Sequence, residues 1–372
     1  MKYGTYAQLG TPTPDAVQGT GRTCLLYLGH CSALNYDIHY ISSWADAQEK
    51  LAVGPTTDVI MGDACFVCLD MLKIPFYAVK TFPGASNIQQ VAHNVADFVE
   101  DTKYDSYIIC IIRMRIGEVR QFWSLFDTLI TKSVFYIGDF SENPERDEYV
   151  LNNGRPNVEK ILEVKGVLPQ DARHEISFGY FEHHDRVYPV ALSALRAGLL
   201  AINDVFYKAP VRVDGNLPFD AESLKGKRFR PPRVGYIPMT MTKADADTLA
   251  ENGVNSALKL NGIFRTWGDL CTDGETFISD SRMASSITNW FKNKYLNKTP
   301  LTLCDRDTII RDVMAYLESL VAIGAMYSAR IDWVETGEGT GVWQFTLGGV
   351  EHRPIRALTA QVRYGDVVIN YL

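Results

Sequence analysis

Alternation is the feature that most constrains this chain. Short, wholly apolar runs of strand length take turns with longer segments that are apolar at helical spacing. Thr23-Cys-Leu-Leu-Tyr-Leu28 is followed by Gly29, Tyr107–Ile112 is uniformly apolar, and Val134–Ile137 is a third such run. A run with no polar alternation is covered on both faces, as strands of a parallel sheet are. Between the runs, Ile88, Val91, Val95 and Phe98 mark one helical face, and Val119, Phe122, Phe126 and Leu129 mark another. Ser86 with Gln89 reads as a capping box for the first of these helices. A helix is expected near Ser43–Leu51 and a strand over Ile74–Lys80, with Pro75 near its start. Strand–helix–strand order at this spacing calls for parallel pairing through right-handed crossovers.

Other segments fit around this unit. Residues 1–22 are rich in Gly, Thr and Pro, which excludes a helix and leaves an extended arm or a disordered end. The charged stretch Ser141–Arg173 reads as surface loops with one short element, and His174–Phe181 as a strand. Pro189 is expected to open an apolar helix reaching about Asn203. Lys225–Arg233 is basic and contains prolines, as an exposed connection does. Beyond it two amphipathic helices are expected. The first ends near Leu296, with Met283, Ile287, Trp290 or Phe291, and Tyr295 on one side. The second runs from an N-cap at Asp305 to a stop at Gly324, with Ile309, Ile310, Val313, Leu317, Leu320 and Val321 as its apolar side. Strands follow at Arg330–Val334, Val342–Leu347, Ala360–Tyr364 and Val367–Leu372.

The expected fold class is therefore α/β (α+β), an α/β middle domain plus a C-terminal mixed sheet carrying two amphipathic helices, with extended terminal arms. The expected organisation is an N-terminal arm over 1–22, an α/β region over 23–233, a C-terminal core domain over 234–359 and a terminal strand over 360–372. An apolar fraction of 46% over 372 residues supports sizeable cores. A net charge of −7 argues against a nucleic-acid coat, and no apolar run is long enough to span a membrane. The start of the chain lacks the apolar core of a signal peptide. Seven cysteines, mostly within apolar runs, read as buried free thiols of a reducing compartment.

No motif of catalysis or metal binding stands out. Cys65-x-x-Cys68 lacks the second pair that a structural zinc requires. His183 and His184 are adjacent, so on a strand their imidazoles would diverge. Gly19-Thr-Gly21 precedes a strand, where a dinucleotide turn would follow one, and Gly337–Gly341 lies between two strands as a hairpin would. Neither a phosphate loop nor a nucleophile elbow is present. Asp139, just past the Val134–Ile137 run, stands where an α/β enzyme could hold a ribose or a catalytic carboxylate. No cofactor or metal is expected, and enzymatic activity is not expected.

The C-terminal third carries a more telling order of landmarks. Gly253-Val-Asn255 leads into a strand, a Trp267-Gly268 corner follows, then two helices, with Gly324-Ala325 closing the second. At the other end, Tyr3-Gly-Thr-Tyr-Ala-Gln-Leu9 and a proline-bearing stretch lead to Gly19-Thr-Gly-Arg-Thr-Cys-Leu-Leu-Tyr-Leu-Gly29. Both ends resemble the contractile tail sheath proteins of phages and related injection machines. The resemblance implies a structural subunit that polymerises with itself as stacked hexameric rings around an inner tail tube and contracts to drive the tube through a host envelope. It also implies baseplate and tail terminator proteins as partners, and a place in a virion tail assembled in the host cytoplasm.

The resemblance implies terminal arms that add strands to neighbouring copies. Here Tyr3, Tyr6 and Leu9 would form one arm, and Val367, Val368, Ile369 and Tyr371 the other. The apolar terminal strand makes the same demand physically, since a free edge of that composition invites aggregation. Between residues 282 and 306 five bases, Arg282, Lys292, Lys294, Lys298 and Arg306, face one acid, Asp305. In a sheath that segment is the candidate contact with an acidic inner tube. An α/β enzyme or nucleotide-binding protein with a site near Asp139 is the alternative reading.

Overall fold

In the computed structural model of the chain, the parallel strands expected from the apolar runs lie side by side. The structure describes residues 23–31, 36–55, 57, 60–81, 87–139, 149–151, 153–181, 190–202, 233–234, 237–238, 240–260, 263–296, 303–322, 326–335, 343–351, 358–363 and 366–371. The N-terminal arm, the His183-His184 pair, the Gly337–Gly341 turn, Gly324-Ala325 and Lys298 lie outside these residues.

The first half begins with β1 (Thr23–Gly29), β2 (Ile38–Ile41), α1 (Trp44–Leu51) and α2 (Met61–Cys65), which widens into a π-helical turn at Phe66–Leu72. There follow β3 (Phe76–Lys80), α3 (Ile88–Asp101), β4 (Ser106–Ile111), α4 (Ile116–Leu129), β5 (Phe135–Asp139) and α5 (Val158–Lys165). Next come β6 (His174–Ser177), β7 (Tyr180–Phe181), β8 (Val190–Ala191), α6 (Leu192–Ile202), β9 (Arg233–Val234) and β10 (Ile237–Pro238). The second half contributes α7 (Lys243–Glu251), β11 (Val254–Leu260), β12 (Ile263–Trp267) and α8 (Ile278–Phe291), the last running into a π-helical turn at Lys292–Leu296. Finally come α9 (Leu303–Ala322), β13 (Met326–Glu335), β14 (Trp343–Glu351), β15 (Leu358–Arg363) and β16 (Asp366–Tyr371).

The main sheet has the order β12-β11-β6-β5-β4-β1-β3-β2. From β11 to β3 every neighbour is parallel, and β12 and β2 pair antiparallel at the two edges. Each central strand is buried on both faces, as its uniform composition requires. One face carries α1, α2 and α6 over Tyr27, Cys110, Phe135 and Ile137. The other carries α3, α4, α5 and α7 over Leu26, Ile109 and Tyr136. A smaller sheet runs β10-β9-β7-β8.

Several expectations are corrected. The helix at α3 starts from Asn87 with no side-chain cap from that residue, and Ser86 of the expected capping box lies outside the described residues. The strand expected over His174–Phe181 breaks into β6 and β7, and Val190-Ala191 is a strand before α6 begins. α9 starts at Leu303, ahead of the expected Asp305 cap. By internal contacts the residues up to Asn293 group with the first sheet, and those from Lys294 on form a second unit. The physical reason is β11, whose Val254 and Asn255 pair parallel with Ile176 and Ser177 of β6 and so extend the first sheet. The unit from Lys294 on contains α9, whose buried side is Ile309, Val313, Leu317 and Leu320, and the hairpin β13–β14.

One side chain ties α3 to the sheet. Lys132 is 5% exposed, and its Nζ donates to the carbonyls of Val99 at 2.8 Å, Glu100 at 2.9 Å, and Thr102. These are the acceptors left over at the end of α3, where a cation also complements the helix dipole. Lys132→Met keeps the apolar stem but leaves these carbonyls without their donor. It should lower the unfolding free energy by roughly 1–3 kcal/mol in urea titration; an unchanged midpoint would show that the contact contributes nothing.

Candidate functional site

Asp139 ends β5 and is 3% exposed. It accepts a hydrogen bond from Ser193 Oγ at 2.9 Å, at the start of α6. Burial pushes its carboxyl up to about 7; Ser193 and the Arg113 charge pull it down, and Asp63 adds to the rise. Arg113 follows β4 with a left-handed φ of 48° and pairs with Asp63 of α2 at 2.8 Å. Its guanidinium also lies 4.9 Å above the Tyr180 ring. Asp63 in turn accepts the Ala191 amide at 2.9 Å. The polar groups at these strand ends therefore join β5, α2, β8 and α6 to one another, which is a structural use of the position.

A second buried network lies on the same face of the sheet. Glu175 of β6 and Arg196 of α6 are both fully buried and form a direct ion pair. Arg196 also donates to the carbonyl of Gly268 at 3.0 Å. Gly268 has φ of +96°, and a Cβ there would stand 2.3 Å from Asn255 Oδ1. Gly253 has φ of +71°, and its Cβ would meet the Cys271 carbonyl at 2.3 Å. Both positions therefore exclude every residue but glycine. Asn255 is fully buried and donates to the Leu270 carbonyl at 3.1 Å, while its own carbonyl accepts the Phe178 amide at 2.8 Å. Trp267 Nε1 donates to Asp247 of α7 at 2.9 Å. The Gly253-Val-Asn255 and Trp267-Gly268 landmarks are thus two halves of one corner that locks β11 and β12 onto β6 and α6.

The described thiols and His174 are likewise interior. All six described cysteines are buried thiols outside any disulfide. Cys68 sits 3.6 Å from the Tyr27 hydroxyl, and burial pushes its thiol up to about 12, away from the thiolate that redox or metal chemistry needs. His174 stacks on Trp123 with centroids 4.3 Å apart, and burial lowers it to about 4. Among the described residues no group of three or more His, Cys, Asp or Glu could hold a metal, and no helix is long and apolar enough to cross a membrane.

Of the residues expected at a tube contact, one lies in the interior. Arg282 is fully buried, so it cannot face a partner as expected; burial lowers its guanidinium to about 10, while Glu175 raises it. A helix begins and ends in mixed sequence, and spacing alone did not show which side of α8 faces inward. Lys292 donates to the Thr131 carbonyl, and Lys294 pairs with Asp312 of α9 at 2.7 Å. Lys298 lies outside the described residues, and of Arg306 only the backbone, in α9, is described. The terminal-arm residues Val367, Val368, Ile369 and Tyr371 all lie on β16, which pairs antiparallel with β15 in a sheet of two strands.

Asp139 provides a test of the structural assignment. Its carboxyl is raised in the folded chain relative to 3.8, so the folded state binds the proton more tightly than the unfolded one. Its contribution to stability is present at low pH and is lost as pH rises from about 4 to about 7. Asp139→Asn removes that loss. Its stability relative to wild type should rise over this window and level off above it, by on the order of 2–4 kcal/mol in urea unfolding at pH 5 and pH 8. A difference independent of pH would refute the assignment. His174, on the opposite face, is unchanged in both proteins and cancels.

No protein-family model matches the chain, and no curated protein sequence does so significantly. Solved structures do match its shape. The sheath complex of an extracellular contractile injection system, PVC, in its contracted state is 14% identical with a TM-score of 0.67, covering 96% of this chain and 95% of that one. The helical sheath of the anti-feeding prophage in its contracted state is 14% identical with a TM-score of 0.65, over 95% and 97% of the two chains. A sheath tail protein from Listeria innocua is 9% identical with a TM-score of 0.55, over 94% and 98%. From end to end, this chain has the fold of the contractile sheath proteins.

Proposed function

We propose that this chain is the structural subunit of a contractile sheath. In this reading it stacks as hexameric rings around an inner tube and contracts to drive that tube through a target envelope. The observation that carries the reading is the fold shared with sheath proteins over nearly the whole of both chains. Its neighbours in shape include the sheaths of an extracellular contractile injection system and of the anti-feeding prophage, so the particle is a contractile injection device in the broad sense, of which a phage tail is one form. Partners in such a particle are other copies of the chain, the tube protein, the baseplate and a terminator. The role requires no catalysis. The buried pairings of Asp139 with Ser193 and of Asp63 with Arg113 support this over an enzyme with a site at the strand ends.

The C-terminal hairpin supplies the physical link to assembly. β15 and β16 form a sheet of only two strands, and an isolated hairpin is marginal in water. Among the described residues no other strand pairs with β16, whose Val367, Val368, Ile369 and Tyr371 favour a strand partner. Addition to the sheet of a neighbouring copy satisfies its second edge. The N-terminal residues Tyr3, Tyr6 and Leu9 form the second arm of the proposal. With Arg282 inside the protein, the tube contact is proposed for Lys292, Lys294, Lys298 and Arg306.

Purified full-length chain should sediment as tubes or stacked rings visible by negative-stain microscopy. Deleting residues 360–372 should leave the circular dichroism of the folded chain intact and abolish sedimentation. Tubes from the truncated chain would rule out the C-terminal arm.

A further inference from the structure

α3 ends in a bowl of acceptors shaped for an ammonium. The Phe98 carbonyl is taken by Thr102, through its amide at 3.1 Å and its hydroxyl at 2.8 Å. The carbonyls of Val99, Glu100 and Thr102 converge on one atom, Lys132 Nζ. Three acceptors match the three N–H donors of a primary ammonium and leave its fourth direction for carbon. Tyr107 closes the bowl, with its hydroxyl 3.4 Å from Nζ and its ring centroid 5.5 Å away. Burial lowers the pKa of this ammonium, and the Glu100 and Asp101 charges oppose that shift. The negative end of the helix dipole favours a cation here as well.

The bowl does not owe its shape to the lysine. The Tyr107 hydroxyl donates to the Thr102 carbonyl at 2.7 Å and accepts the Tyr104 amide at 3.0 Å. The backbone that carries Lys132 is held separately. Glu100 Oε1 accepts the Thr131 amide at 2.6 Å and the Lys132 amide at 3.1 Å. Asn289 Oδ1 accepts the Ser133 amide at 2.8 Å. Lys132 is buried along its length, so shortening its side chain opens a slot whose two ends stay tied in place. The slot is apolar where the stem lay and ends on three carbonyls.

We infer that the end of α3 is a binding site for a short primary alkylammonium, occupied in the native chain by the head of Lys132 and open to a free amine once that side chain is cut back. Lys132→Ala removes Cγ, Cδ, Cε and Nζ, which correspond to the heavy atoms of n-propylammonium. That ion brings the donors for the three carbonyls and the stem for the slot. Tetramethylammonium brings a positive charge with no donor. The site belongs to the single chain and does not depend on the sheath reading.

Urea unfolding of full-length Lys132→Ala in propylammonium chloride, compared with tetramethylammonium chloride at the same ionic strength, tests the site. Propylammonium at about 50 mM should shift the folding equilibrium of the variant toward the folded state by about fivefold or more, and the shift should grow with concentration as for a ligand of the folded state. The wild type, whose bowl is filled, should not respond. Lys132→Met, whose stem fills the slot, should not respond either. An equal shift with tetramethylammonium, an equal shift in Lys132→Met, or no shift at all would overturn the inference. If Lys132→Ala does not fold unaided, refolding reads the same site. Folded circular dichroism should then be recovered with propylammonium and not with tetramethylammonium, and absence of recovery would overturn the inference.

Discussion

The buried ion pair between Glu175 and Arg196, continued to the Gly268 carbonyl, is the contact on which the rest of the first unit depends. It joins three pieces of chain that no local preference would bring together: β6, α6 and the corner after β12. Removing one partner would leave a charge uncompensated in the interior, which typically costs about 3–5 kcal/mol. The pair therefore acts less as a source of net stability than as a condition on register. With Gly268 at φ of +96° and Asn255 packed against it, β11 can join the sheet beside β6 in only one alignment.

That alignment has a consequence for function. An α/β sheet commonly offers its strand ends to ligands. Here those ends are closed by Asp139 with Ser193, and by Arg113 with Asp63, so their polar groups hold the fold together. Among the described residues no other strand pairs with β16 of the terminal hairpin, and a strand edge of that kind suits the joining of copies of a protein to one another.

The sequence revealed those elements whose signal is local. The apolar run Thr23–Leu28 became β1, Tyr107–Ile112 became β4, and the spacing of Val119, Phe122 and Phe126 became the inner side of α4. The two glycine landmarks were visible as residues in order, but their purpose was not, because it lies in contacts with Cys271 and Asn255 across a loop. α7 was missed although Thr242 and Asp245 form a capping box; with only Ala246 and Leu249 as apolar buried residues its periodicity is faint. Of the apolar row expected on α8, Met283 is buried, while Ile287, Trp290 and Phe291 are only partly so; the inward side is made mostly of serines, an asparagine and Arg282, which periodicity of apolar residues does not reveal. The pairing of β11 with β6 was not legible, because it is non-local and leaves no trace in composition.

The account turns on whether copies of this chain build a helical array through their terminal strands. Cryo-electron microscopy with helical reconstruction of the purified, concentrated full-length protein measures this directly. The account predicts a hollow tube in which residues 366–371 of one copy are hydrogen-bonded into a sheet of its neighbour. Dispersed single copies, or a tube in which β16 pairs with β15 alone, would contradict it.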